Sequence, residues 1–185
     1  MTETTAALSA APETFDAFAA RTLDSSYRIA SLITRDARDA EEATHAAYLA
    51  AAKRWRRGHR EDARARDAWF GRLLIRACRD QIRGRRRIAV TDISDQLLVD
   101  RSHPGDAIWL TADTRPADRE ALVHAFGRLG LDHRVCLVLH YGAEFELPRV
   151  AEWTRMSERT VAARLREALG ALGVAYEPAG SALAA

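Results

Sequence analysis

The chain has 185 residues, enough for one or two small domains, and 48% of them are hydrophobic, so a core can be buried. Its 28 basic and 26 acidic residues leave a net charge of +2, so the distribution of charge is informative and the total is not. No apolar run approaches the ~20 residues of a membrane span, and MTETTAALSAAPE lacks the basic start and apolar centre of a secretory signal, so a cytoplasmic protein with no membrane partner is expected.

Much of the apolar content is alanine, the best helix former, and alternating strand-like runs bounded by turn dipeptides are missing. The expected fold class is all-α: two small helical domains joined by an acidic linker, the second ending in a helix-turn-helix. Residues 1–12, poor in large apolar groups, read as a disordered leader. A first helix from Pro12 is marked by Phe15, Phe18, Tyr27, Ile29, Ala30 and Ile33. After a break at Thr34 to Asp36, a second helix opens with DARDAEEA, whose acids suit the positive end of the helix dipole. It extends to about Arg57 and offers Ala40, Ala43, Ala47, Ala51 and Trp55 to a core. The polar stretch from Gly58 to Asp67 reads as a loop. Asp67 is a natural N-cap for a third helix, WFGRLLIRACRDQIRGRRR, with an apolar stripe of Trp69, Phe70, Leu73, Leu74 and Ala77. These helices make up a first domain over 13–88.

Composition then changes. Between Ala89 and Asp118 stand Asp92, Asp95, Asp100, Asp106, Asp113 and Asp118 against Arg101 and Arg115, with Pro104, Gly105 and Pro116 as breakers. Residues 89–117 therefore read as a linker. A second domain over 118–176 carries ALVHAFGRL, LDHRVCLVLHYG and LPRVAEWTRMSERTVAARLREAL, and 177–185 is a disordered tail. In the last of these strings Val150, Ala151 and Trp153 give a short helix its apolar side. Arg155 and Met156 make the turn, and Ser157 is the N-cap of a helix starting at Glu158. Val161, Leu165, Ala168 and Leu169 face inward at helical spacing. Arg159, Thr160, Ala162, Ala163, Arg164 and Arg166 then lie on or near the outside, an arrangement that sets a helix in the DNA major groove.

Arg72, Arg76, Arg79, Arg83, Arg85, Arg86 and Arg87 make the exposed side of the third helix almost wholly positive, with Asp80 the only acid from Trp69 to Arg87. A solvated face usually mixes its charges, so phosphate contact is the better reading. Arg155, Arg159, Arg164 and Arg166 make the same case for the last helix, with Ser157 and Thr160 able to bond phosphates as well as cap. His133, Cys136 and His140 are zinc-ligand types on one helical side. With Leu131, Val135, Val138 and Leu139 taking the core, they are expected to face outward without a fourth ligand, so no metal is expected. Cys78 and Cys136 are far apart within predicted helices, as in a reducing compartment. No phosphate-binding glycine loop, nucleophile elbow or paired-carboxylate motif is present, so neither catalysis nor a cofactor is expected.

In this order, the motifs resemble the extracytoplasmic-function sigma factors of bacterial RNA polymerase, over about residues 13–172. The carriers are DAEEATHAAYLA (Asp39 to Ala50), WFGRLLIRACRDQIRGRRR (Trp69 to Arg87), LGLDHRVCLVLHYGAEFE and SERTVAARLREAL. The resemblance implies three partners: core RNA polymerase, promoter DNA and an anti-sigma factor. It implies polymerase docking through Asp39, Glu42, His45 and Tyr48. It gives the proximal promoter element to Trp69 and the seven arginines of the third helix, and the distal element to Arg155, Ser157, Arg159, Thr160, Arg164 and Arg166. The chain departs from the family pattern at several places. His45 and Ala46 replace a Gln-Glu pair, Arg76 stands where an asparagine is usual, and Ala162 and Ala163 replace Lys-Ser. Two rival readings fit the same residues: a sigma-like DNA-binding regulator that does not initiate transcription, and a degenerate module that titrates an anti-sigma factor or polymerase.

Overall fold

The computed structural model describes residues 13–58, 62–91 and 116–173. Seven α-helices and no strand occur among them: α1 (Phe15–Thr34), α2 (Ala37–Gly58), α3 (Ala63–Thr91), α4 (Pro116–Arg128), α5 (Leu131–Leu137), α6 (Leu147–Thr154) and α7 (Glu158–Ala171). Helix α5 continues into a π-helical turn at Val138–Gly142. The all-helical class expected from alanine content is the class observed. The residues read as leader and tail, and 92–115 of the segment read as linker, lie outside the described residues.

Short polar side chains set the helix starts. Thr14 Oγ1 accepts the Ala17 amide at 3.2 Å, Asp36 Oδ1 that of Asp39 at 2.9 Å, and Ser157 Oγ that of Thr160 at 3.1 Å. The break between α1 and α2 falls at the expected Thr34 to Asp36, where Arg35 takes a left-handed conformation with φ 58°. Asp67 does not begin the third helix. Asp62 Oδ1 accepts the Arg64 amide at 2.9 Å, and the Asp62 carbonyl accepts the Arg66 amide at 3.1 Å, so α3 starts one turn earlier. The expected Gly58 to Asp67 loop gives way here because Ala63, Arg64, Ala65 and Arg66 are good helix formers behind the Asp62 cap. At its other end α3 continues to Thr91, and Pro116 opens α4, where a missing amide costs nothing.

Helices α1, α2 and α3 pack together through Ala40, Ala43, Ala47 and Ala51, which let the backbones approach closely, and through Phe18, Phe70 and Leu74. Tyr48 and Phe70 ring centroids lie 4.6 Å apart, and Phe18 contacts Phe70 edge-on at 5.0 Å. Around α5 to α7 the core is Val135, Val138, Leu139, Val150, Val161 and Leu165, all fully buried. The two sets of helices touch. Trp153 of α6 lies on Gly71 of α3 so closely that a Cβ there would fall within the indole. Arg134 of α5 is buried, and its guanidinium donates to the carbonyls of Ile33 at 2.9 Å, Gly127 at 3.1 Å and Leu129 at 3.2 Å. A buried cation is tolerated because carbonyls near the ends of α1 and α4 supply the negative ends of their dipoles.

Candidate nucleic-acid interface

Along α3, Arg72, Arg76, Arg79 and Arg83 recur at i, i+4, i+7 and i+11 and so form one stripe. Arg76 and Arg83 are exposed, with Arg76 3.8 Å from Asp80. Arg72 donates to the Glu152 carbonyl at 2.9 Å, and Arg79 pairs with Asp132 at 2.8 Å. Arg85 belongs to a different side of the helix. It lies 3.4 Å from Asp36 and 3.1 Å from Asp39, and donates to the Thr34 carbonyl at 3.3 Å, which ties α3 to the α1–α2 junction. Arg86 and Arg87 continue the helix beyond the residues whose side chains are described. Trp69 is partly buried against the core, its ring 6.4 Å from that of Trp55.

Around the turn between α6 and α7, Arg155 takes a left-handed conformation with φ 60°. Ser157, Arg159, Thr160 and Arg166 are exposed. Ser157 and Thr160 hydroxyls also bond each other at 2.8 Å, so part of their capacity is spent on the cap. Val161, Leu165, Ala168 and Leu169 are buried, as their spacing predicted. Arg164 is half-buried and lies 2.9 Å from Glu167, whose carboxylate also meets His133 Nε2 at 2.8 Å. Hydrogen bonds with His133 first and Arg164 second hold the Glu167 carboxyl below its ordinary value of 4.5.

The four α2 residues do not share one environment. Glu42 and His45 are exposed. The Tyr48 ring packs between Phe18 and Phe70, and its hydroxyl meets Thr22 Oγ1 at 2.7 Å and Ser26 Oγ at 3.2 Å. Asp39 is largely covered; burial raises its carboxyl above the ordinary value, opposed by Arg85.

The expectation that Cys136 faces outward with His133 and His140 is corrected, because Cys136 is fully buried in α5. The π-helical turn breaks the regular 3.6-residue count between Cys136 and His140, and His140 Nδ1 lies 2.7 Å from the Phe145 carbonyl. Burial pushes the Cys136 thiol up to about 11 and the Cys78 thiol up to about 12, so both behave as inert apolar groups. No group of three or more potential metal ligands occurs among the described residues.

Sequence reasoning missed Arg64, Gly71, Asp132 and Glu152, which join α3 to α5 and α6. Arg64 grips Glu152 with Nε at 3.1 Å and a terminal nitrogen at 3.0 Å across 88 positions of sequence. Nothing local announces such a pair. Gly71 alone carried a signal, because glycine inside a helix costs about 1 kcal/mol and usually marks a close approach.

The sequence matches no protein-family model and no curated protein. A solved structure is similar: the sigma factor RpoE from Bartonella quintana, determined in complex with the anti-sigma factor NepR. The match covers 85% of this chain and 93% of that one, with a TM-score of 0.65 and 19% sequence identity. The chain therefore has a sigma-factor-like, all-helical fold at low sequence similarity. No helix among the described residues is long and apolar enough to cross a membrane.

Proposed function

We propose that this chain is a sigma factor, a cytoplasmic subunit that binds core RNA polymerase, recognises promoter DNA and directs initiation, with no catalysis or cofactor of its own. The observation that carries the reading is a sigma-factor-like fold over 85% of the chain in a sequence whose motifs fall in the family's order. Residues 13–88 serve as the proximal-element domain and 118–176 as the distal-element domain, with 89–117 between them. Exposed Arg76 and Arg83 support α3 as the proximal DNA face. Helices α6 and α7 act as a helix-turn-helix, a reading supported by the exposure of Arg159 and Arg166. An anti-sigma factor is a further partner, by analogy with the NepR complex.

A second reading is favoured by one observation. Tyr48 and Asp39 are engaged within the fold, which leaves Glu42 and His45 as the exposed members of the docking set. A chain with so reduced a polymerase surface fits a DNA-binding regulator. Run-off transcription with purified core polymerase separates the readings. Promoter-dependent transcript is expected; duplex binding without transcript would transfer the assignment to the regulator, and neither activity would leave an interaction module.

A further inference from the structure

A cavity of about 370 Å³ opens between α1 and the segment that runs from the π-helical turn into α6. That volume is at the small end of the range for small-molecule sites, roughly 300–1,000 Å³, and suits a ligand the size of one amino acid. Phe18, Phe70 and Trp153, all buried, line it with apolar surface. Of its five charged lining residues, three answer one another. Asp67 takes Arg21 at 3.0 Å and lies 3.7 Å from Arg149, which also stacks on Phe145, 3.9 Å from the ring centroid. The other two, Arg28 and Glu144, are exposed and have no side-chain partner among the described residues. They carry opposite charges and line the same cavity, yet they do not pair, so a gap is left between them. Glu144 also stands at φ 55°, a left-handed conformation that glycine adopts freely and an L-residue only at a cost. It closely follows the π-helical turn at Val138–Gly142. Backbone irregularities of these two kinds concentrate at ligand sites.

We propose that this cavity binds a free α-amino acid with an aromatic side chain. Arg28 takes its carboxylate, Glu144 takes its ammonium, and the ring enters among Phe18, Phe70 and Trp153. Apolar contact supplies affinity, and the two separated charges supply selectivity. A simple anion leaves the Glu144 carboxylate unanswered and repels it, and a simple cation does the same at Arg28. A zwitterion satisfies both at once. None of the residues lining the cavity belongs to the sets assigned to polymerase or to DNA, so the site does not depend on that reading.

The test titrates the full chain by isothermal calorimetry with L-phenylalanine, with hydrocinnamate (the same molecule without its amine) and with phenethylamine (without its carboxylate). Wild type should bind phenylalanine saturably and each of the others roughly tenfold more weakly, the lower end of what a hydrogen bond to a charged group contributes. Arg28→Gln and Glu144→Gln should each lose about the same factor for phenylalanine. Each should also lose one discrimination: Glu144→Gln should bind hydrocinnamate as well as phenylalanine, and Arg28→Gln should bind phenethylamine as well as phenylalanine. Both substitutions conserve size, and Glu144→Gln removes charge without relieving the left-handed backbone. Ser25→Trp, at an exposed position lining the cavity, should block entry with both charges still present. Circular dichroism checks that every variant keeps its helicity. No saturable binding of phenylalanine to wild type would overturn the site. Binding that all three substitutions leave unchanged would move it elsewhere on the chain and overturn the assignment equally. Hydrocinnamate binding wild type as tightly as phenylalanine would reduce the cavity to an anion site and sink the zwitterion.

Discussion

Arg155 occupies a backbone conformation that side-chain-bearing residues avoid. Its φ of 60° at the α6–α7 turn is left-handed, a region that costs an L-residue about 1–2 kcal/mol relative to glycine. Tight turns of this kind often hold glycine for that reason. An exposed arginine there gains no burial to offset the strain. On the proposed function it is kept for its guanidinium, next to the start of α7 where a phosphate would meet the helix N-terminus. Arg155→Gly should therefore stabilise the chain by about 0.5–1 kcal/mol, the left-handed cost less the extra unfolded-state freedom of glycine. It should also weaken duplex DNA binding evenly across sequences. Chemical denaturation and a binding assay on several duplexes check the two halves separately. A variant that loses stability and binds DNA as before would remove both the strain argument and the phosphate role.

At the level of the helices, α5 and α7 are joined at their surface by His133, Glu167 and Arg164, with Glu167 central at 2.8 and 2.9 Å from its neighbours. Because these hydrogen bonds lower the Glu167 pKa in the folded state, its contribution is present in full above the ordinary value of 4.5 and is lost as pH falls through the lowered one. The unfolding midpoint of Glu167→Gln should lie below that of wild type at neutral pH, and the two should converge in acid. A gap that stays constant into acid would place the loss outside the ionised carboxylate, and no gap at neutral pH would show that the pairs add nothing to stability. The elements themselves were largely legible in sequence. Ser157 capped α7 where its residue type said it would, and the α2 alanines faced inward at their 3.6-residue spacing. The start of α3 is obscured in sequence because the charges from Arg64 to Asp67 resemble a loop, while the Ala and Arg propensity and the Asp62 cap decide the helix. The contacts of Arg64, Arg79 and Arg134 were illegible for a different reason: their partners lie 88, 53 and 101 positions away, and only tertiary packing brings them together.

Across the whole molecule, the proposed polymerase contact has to be tested on an α2 surface that is partly engaged within the fold. Asp39 lies 3.1 Å from Arg85 at the junction of α2 with α3, so reversing its charge would disturb the fold and any interface together. Tyr48 is equally unsuitable as a probe, since its hydroxyl is committed to Thr22 and Ser26. Glu42 is different. It is exposed and pairs with Arg38 at 3.0 Å as a surface i,i+4 pair, a contact worth about 0.3–0.5 kcal/mol. His45 is exposed close by on the same helix and makes a second clean probe. Charge reversal at Glu42 with replacement at His45 thus tests docking without testing folding. Glu42→Lys with His45→Glu should leave helicity unchanged and lower affinity for core polymerase roughly tenfold, or about 1.4 kcal/mol. Promoter-dependent transcript should fall in proportion, whereas binding of isolated duplex DNA through α7 should not change. Undiminished polymerase affinity in the double variant would move the docking surface off α2. If transcript were also absent from wild type, the regulator reading would take its place.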